Sequence, residues 1–128
     1  MAQAKLDIKA SSTTHADYFY GPIPVTRDMT EEDIEDEYEK NTGLLIIETF
    51  EDRNIKVDHI PAVLVANHGP FTFGKDAGDS VFHSVVLEEV AFMAWHLESL
   101  GKHNPMSQDL LDKHYLRKHG KNSYYEQK

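Results

Sequence analysis

The sequence predicts an α/β domain, because one buried strand lies between stretches with helical periodicity. The strand is the apolar run that begins at Ala62 and leads into a Gly-Pro pair; short apolar runs bounded by Gly and Pro are typical of buried strands. Apolar residues recur at helical spacing from Val81 to Leu100, which predicts a long helix. With 128 residues, of which 40% are hydrophobic, the chain 1–128 is expected to form a single domain with a modest core.

The elements before the strand are less sharply defined. Residues 1–12 predict no regular element, and the aromatic-rich segment Thr14–Gly21 predicts an irregular loop. Thr30 is a typical N-cap, and the acidic residues after it favour the positive end of a helix dipole. We expect this helix to run to about Lys40, with a break at Asn41–Gly43 before a second helical or extended segment.

Two helices are predicted after the strand. Lys75–Asp79 supplies turn and cap residues for the long helix, which Gly101 should end. Ser107 is expected to cap a last helix that stops at Gly120. The apolar stripe of the long helix is interpreted as core rather than as a cofactor or membrane surface.

Composition excludes several classes of partner. The net charge of −9 repels nucleic acid, and no run of about 18 apolar residues could span a bilayer. Neither a signal peptide nor cysteine is present, so that a cytoplasmic protein is expected and a disulfide framework is not. Basic residues gather only over residues 113–121, where a solvated helix face and a site for a small phosphate remain alternatives.

His68 follows the predicted strand directly and precedes Gly69-Pro70. A residue just beyond a strand end is held rigidly and often faces a cleft. A neutral imidazole in that position can ligate zinc, or it can simply form a hydrogen bond within the turn. The motif alone leaves both interpretations open.

Three separated segments together resemble the L-ribulose-5-phosphate 4-epimerases of the class II aldolase/epimerase family. These segments are Thr13–Gly21, Asn67–Phe71, and Asp112–Gly120 followed by Tyr124-Tyr125. The resemblance covers nearly all of the chain from about Ala2 onward. It implies an α/β/α sandwich around a central, largely antiparallel sheet, assembled into a homo-oligomer that is a tetramer in the family.

The resemblance also implies an isomerase activity in arabinose-type pentose catabolism. The family uses Zn²⁺ to interconvert L-ribulose 5-phosphate and D-xylulose 5-phosphate by retro-aldol and aldol steps. A divalent ion is suited to this chemistry because negative charge develops on oxygen when the C3–C4 bond breaks. An epimerase or aldolase for another phosphorylated sugar is the alternative within the same family.

Site residues are carried over by motif match. Asp17 resembles the family's acid/base carboxylate, and Tyr125 resembles the phenol that serves the other face of the aldehyde. Thr13, His114 and Arg117 match substrate-binding positions. In the family the C-terminal tail closes over the active site of an adjacent subunit.

His68 matches one of three metal-ligating histidines in the family. The other two come from a His-x-His segment upstream of the matched part, and this sequence has no His-x-His. The family's phosphate-holding segments belong to the same N-terminal half. Because catalytic zinc usually needs about three protein ligands, the chain is expected to be a truncated domain with an incomplete zinc site, inactive alone. A non-catalytic oligomerising or interaction fragment is the alternative function.

Overall fold

The computed structural model describes residues 1–102 and 104–121. Within them the elements are, in order, α1 (Thr13–Tyr18), α2 (Glu31–Glu35), α3 (Tyr38–Asp52), β1 (Ala62–Val65), β2 (Gly69–Thr72), α4 (Ala77–Ser99) and α5 (Gln108–His119). This mixture of helices with a small antiparallel sheet confirms the expected combination of α and β elements. The complete sandwich remains a prediction.

Strand β1 is hydrogen-bonded along both edges. It pairs antiparallel with β2 on one side. On the other side, Leu64 N–H donates to the Pro24 carbonyl at 2.9 Å, and Thr26 N–H donates to the Leu64 carbonyl at 2.9 Å. Ile8 and Ile23 extend this edge through a further antiparallel bridge. The first dozen residues, for which no element was predicted, thus contribute one bridge to the sheet.

Two of the three core clusters of the described residues lie on opposite faces of β1. The cluster on the α4 side includes Phe19, Ala62, Leu64, Leu87 and Val90. The cluster on the α3 side consists of Ile46, Phe50, Val63 and Val65. Since successive side chains of a strand point to opposite faces, β1 is covered by a helix on each face.

The prediction of an irregular loop over Thr14–Gly21 is wrong for most of that segment. Its first five residues belong to α1. Ser12 acts as its N-cap, because the Ser12 hydroxyl accepts a hydrogen bond from His15 N–H at 3.1 Å. The aromatic residues suggested irregular structure, but Phe19 at the end of the helix is completely buried. Burial of this face stabilises a short helix that propensity alone would not predict.

The helix predicted from Thr30 begins as expected but ends early. Thr30 and Asp33 form a reciprocal capping box. The helix stops at Glu35 instead of Lys40, and α3 starts after Glu37, which has a φ of +47°.

The predicted break at Asn41–Gly43 is also wrong, since α3 runs through it. Gly43 costs a helix only about 1 kcal/mol relative to Ala, and a Cβ there would meet nothing within 4 Å. Burial of Leu45 and Phe50 on the same helix outweighs that cost.

The boundaries of the last two helices agree with the predictions. Asp76 caps α4 by accepting from Asp79 N–H at 2.8 Å, and Gly101 follows its end with a φ of +66°. Ser107 caps α5, and Gly120 is its C-cap. Among the described residues, none of the helices combines the length and the apolar character needed to cross a membrane.

The apolar stripe of α4 is only partly core. Leu87, Val90 and Ala94 are buried, whereas Val81 and Val85 are 63% and 65% exposed. The prediction treated the stripe as one surface, but the helix carries apolar residues on two opposite faces. Within the described residues only one of these faces is covered.

His15 is a buried histidine whose protonation would oppose folding. Its Nε2 lies 2.7 Å from the carbonyl oxygen of Gly21, and since a carbonyl only accepts, the ring donates. Desolvation by burial lowers the pKa of His15 to about 4, against a smaller opposing effect of that hydrogen bond. The neutral ring is therefore the folded form.

We expect the protein to lose stability as the pH falls from 6.5 to 4, because the unfolded chain binds a proton at His15 that the folded chain resists. The shift corresponds to roughly 3 kcal/mol of unfolding free energy. Urea unfolding at several pH values should show this loss in the wild type and a smaller one in His15→Gln. His96→Gln, at an exposed position of α4, controls for removal of a histidine. An equal loss in wild type and His15→Gln would contradict the prediction.

Candidate active site

The packing of α1 on α5 brings three predicted site residues together. Asp17 Oδ1 on α1 lies 3.0 Å from Nδ1 of His114 and 3.3 Å from Nη2 of Arg117, both on α5. All three side chains are largely buried, with 15% to 22% of their surface exposed. Residues almost a hundred positions apart thus form one cluster.

Helix α5 presents His114 and Arg117 on one face because they are three residues apart. The neighbouring face anchors the helix, since Leu111 and Tyr115 are buried. Ser107 fixes the start of α5 by accepting from Leu110 N–H. Local capping and side-chain burial therefore set which residues of α5 reach Asp17.

The cluster has the composition of an acid/base site. A carboxylate can take up and return a proton when it is held in a defined position. The guanidinium of Arg117 carries a permanent positive charge, and the His114 ring donates to the same carboxylate oxygen. Partial burial strengthens these interactions relative to exposed charges. The arrangement can therefore hold Asp17 in a fixed orientation beside positive charge.

The basic run of α5 does more than form a solvated helix face. Lys118 Nζ donates to the Tyr18 hydroxyl at 3.1 Å and lies 4.5 Å from the centre of the Tyr18 ring. His119 Nε2 donates to the backbone carbonyl of Asp17 at 2.8 Å. These contacts, like that of Arg117, attach the basic run to α1.

His68 lies elsewhere, in the turn between β1 and β2. Its backbone N–H donates to the Val65 carbonyl at 3.0 Å, and its ring centre lies 5.5 Å from that of Phe71. The side chain is exposed and borders two cavities of about 340 and 380 Å³. The turn itself depends on Asn67, whose φ is +62° and whose side-chain amide donates to Asp28. His68 is therefore held on a rigid turn, outside the α1–α5 cluster.

The described residues do not fit a catalytic zinc ion by themselves. Nowhere in 1–102 or 104–121 do three His, Cys, Asp or Glu side chains converge as a possible metal site. Catalytic zinc sites usually use about three protein ligands. Of the donors that the resemblance implies, the structure contains His68 alone.

The structure gives less information on the two remaining predicted site residues, Thr13 and Tyr125. Thr13 is exposed at the start of α1. Tyr125 lies outside the described residues, so its predicted role stays a prediction.

Sequence reasoning missed the contacts of Tyr20 and Asp112. The Tyr20 hydroxyl donates to Asp112 Oδ1 at 2.6 Å, and the Tyr20 ring stacks on Tyr115 with 4.3 Å between ring centres. A signal was present, since Asp112, Tyr115 and His119 recur at intervals of three and four residues and so lie along one side of α5. Nothing in the sequence indicated that this side would contact the end of α1.

Comparison with known proteins identifies the family of the chain. Residues 1–95 match the family model described as the class II aldolase and adducin N-terminal domain. The chain belongs to the class II aldolase family. Helix α5, with His114 and Arg117, lies beyond the stretch that the class II aldolase model matches.

A curated relative covers that helix as well. L-ribulose-5-phosphate 4-epimerase UlaF of Salmonella paratyphi B is 51% identical over 128 residues, which is 99% of this chain. The chain spans about half of that relative, 55% of its length. Both segments of the α1–α5 cluster therefore fall within the alignment to a relative that is named as an epimerase.

We predict that Tyr115 ionises late in an alkaline titration. Burial raises the pKa of Tyr115 to about 12, with smaller contributions from the negative charges of Asp58 and Tyr20. Because the folded state favours the neutral phenol, its contribution to stability is complete below pH 10 and is lost as the pH rises through 12. Tyrosinate absorbance of the wild type minus that of Tyr115→Phe should have a midpoint near pH 12. A midpoint near 10 would show that the ring is not buried between α1 and α5.

Proposed function

We propose that this chain supplies the acid/base part of an L-ribulose-5-phosphate 4-epimerase active site. The observation that carries the proposal is the contact of Asp17 with His114 and Arg117. The 51% identity to a relative named as that epimerase supports the substrate assignment. L-ribulose 5-phosphate and D-xylulose 5-phosphate are then the interconverted sugars, in arabinose-type pentose catabolism.

The proposed reaction inverts C4 by breaking and re-forming the C3–C4 bond. A base takes the proton of the C4 hydroxyl, the electrons of the C3–C4 bond pass to a C2–C3 enediolate, and C4 becomes an aldehyde carbon. After the aldehyde presents its other face, the enediolate attacks it and an acid returns a proton to the new hydroxyl. Asp17 serves one face in this proposal and Tyr125 the other, since protons must be handled on both.

His114 and Arg117 would support Asp17 in two ways. Their contacts fix the carboxylate, and a fixed base is more effective than a mobile one. The permanent positive charge of Arg117 would also stabilise negative charge that develops on oxygen during the reaction. Thr13, at the exposed start of α1, is proposed to lie near the substrate.

The metal-binding half of the site is proposed to come from polypeptide that matches the rest of the relative. The family implies Zn²⁺, which would stabilise the enediolate, but the described residues contribute only His68 toward it. On this proposal residues 1–128 are part of an α/β/α sandwich in a cytoplasmic homo-oligomer, and the chain alone is inactive. The exposed apolar face of α4 supports the need for such further polypeptide.

A non-catalytic oligomerising or interaction module is the second candidate. The observation that favours it is the lack of three convergent metal ligands within 1–102 and 104–121. An epimerase or aldolase for another phosphorylated sugar remains the alternative substrate assignment.

The test begins with zinc per chain and epimerase activity. Both are measured for the purified chain alone and after mixing with the N-terminal half of the Salmonella relative. We expect neither zinc nor turnover for the chain alone, and both for the mixture. Lack of zinc and turnover in the mixture would support the non-catalytic module.

Substitutions in the active mixture then test the residue assignments. Asp17→Asn and Tyr125→Phe should each lower turnover roughly 100-fold or more, the usual contribution of a positioned acid or base. Asp109→Asn, on an exposed position of α5, and Tyr124→Phe are matched controls that should keep wild-type turnover. Unchanged turnover in both test variants would refute the assignment of Asp17 and Tyr125.

A further inference from the structure

Tyr20 is fixed at both its backbone and its side chain. Its backbone N–H donates to the carbonyl of His59 at 2.9 Å, in the segment before β1. Its hydroxyl donates to Asp112 Oδ1 at 2.6 Å, and Gln108 Nε2 donates to the same oxygen at 2.7 Å. Tyr20 therefore links the sheet, the end of α1 and the first turns of α5.

A column of stacked rings continues from Tyr20 along α5. Tyr20 and Tyr115 stack at 4.3 Å with an interplanar angle of 28°, and Tyr115 and His119 stack at 4.3 Å with an angle of 19°. His119 then donates to the backbone carbonyl of Asp17. The contacts form a closed circuit that begins and ends on the segment 17–20.

This circuit determines which residues of α5 face Asp17. Each residue of an α-helix is rotated by about 100° and displaced by about 1.5 Å from the one before it. His114 lies between Asp112 and Tyr115 in the sequence, so fixing those two residues fixes the direction of His114. A slip of α5 by one residue would turn the His114 ring away from the carboxylate.

We propose that Tyr20 is a positioning residue, which holds α5 through Asp112 and Tyr115 in the register that brings His114 and Arg117 to Asp17. Tyr20 acts through these side chains and not on the substrate. The effect of Tyr20 on turnover rests on the proposed function of Asp17. The positioning of α5 by Tyr20 can be tested on the chain alone.

The protonation states of Tyr20 and Asp112 favour the hydrogen bond between them near neutral pH. The hydrogen bond to Asp112 raises the pKa of Tyr20, which keeps the phenol neutral. The same hydrogen bond, followed by that from Gln108, lowers the pKa of the Asp112 carboxyl. Donor and acceptor are therefore both in the protonation state that the contact needs.

The first test compares Tyr20→Phe with Tyr18→Phe by ¹⁵N NMR of the histidine side chains. Both variants remove one hydroxyl from a partly buried tyrosine at the α1–α5 contact, but only Tyr20 bonds to Asp112. We expect the His114 ring nitrogen signals to move further toward those of a free imidazole in Tyr20→Phe than in Tyr18→Phe, which loses only the hydrogen bond from Lys118. Unchanged signals in Tyr20→Phe, or equal changes in both variants, would overturn the proposal.

A second pair of variants tests the same contact from α5. Asp112→Asn keeps an oxygen acceptor for Tyr20, whereas Asp112→Leu has a similar shape and no acceptor. The His114 signals should be preserved in Asp112→Asn and displaced in Asp112→Leu. This pair keeps the proposal falsifiable if Tyr20→Phe fails to fold, since equal signals in the two Asp112 variants would overturn it.

Kinetics of the active mixture separate this proposal from the proposed function. A displaced acid/base cluster should lower kcat roughly 10- to 100-fold with little change in KM, and Asp112→Asn should restore kcat relative to Asp112→Leu. If the NMR signals respond as expected but the wild-type mixture shows no turnover, the positioning stands and the proposed function fails. If the wild type turns over and Tyr20→Phe keeps its full kcat, the catalytic meaning of the proposal is overturned.

Discussion

The burial of β1 is the constraint on which the other elements depend. Its backbone is hydrogen-bonded along both edges, and its alternate side chains enter the clusters formed with α3 and α4. Because the backbone of β1 is hydrogen-bonded on both edges and its side chains are packed on both faces, the strand can move only if its neighbours move with it. Both ends of β1 therefore become fixed points, and each leads to a different part of the candidate site.

The two ends of β1 keep the predicted site residues of one chain apart. Before the strand, the His59 carbonyl holds Tyr20 and through it the α1–α5 cluster around Asp17. After the strand, the hairpin turn carries His68. Four strand residues at about 3.3 Å each put on the order of 10 Å between these ends. The acid/base cluster is thus tied to the start of β1, and His68 to its end.

How far the sequence predicts the structure depends on whether a signal is local. Caps such as Asp76 and Ser107 act on their own helix within three residues, and they were predicted correctly. Helix α1 was missed because it depends on the burial of Phe19 by distant residues. The same holds for Gly43, where a local helix breaker is outweighed by tertiary packing.

The candidate site shows the same contrast between local signals and contacts that depend on distant residues. The family resemblance indicated Asp17, His114 and Arg117 as site residues, but the order of residues along the chain contains no distances. Their contact depends on the rotation of α5, which Tyr20 and Asp112 set across a separation of 92 residues. The positioning contact was therefore less predictable than the residues it positions.

Helix α4 has the sequence of a helix covered on two sides. Leu87 and Val90 pack on the sheet, whereas Val81, Val85 and Phe92 lie on the opposite face and are about half exposed or more. Exposed apolar surface of this kind is typical of a contact with other protein. The described chain covers one face, and it spans 55% of the length of its relative. The exposed second face of α4 therefore supports the proposal that further polypeptide completes the active site.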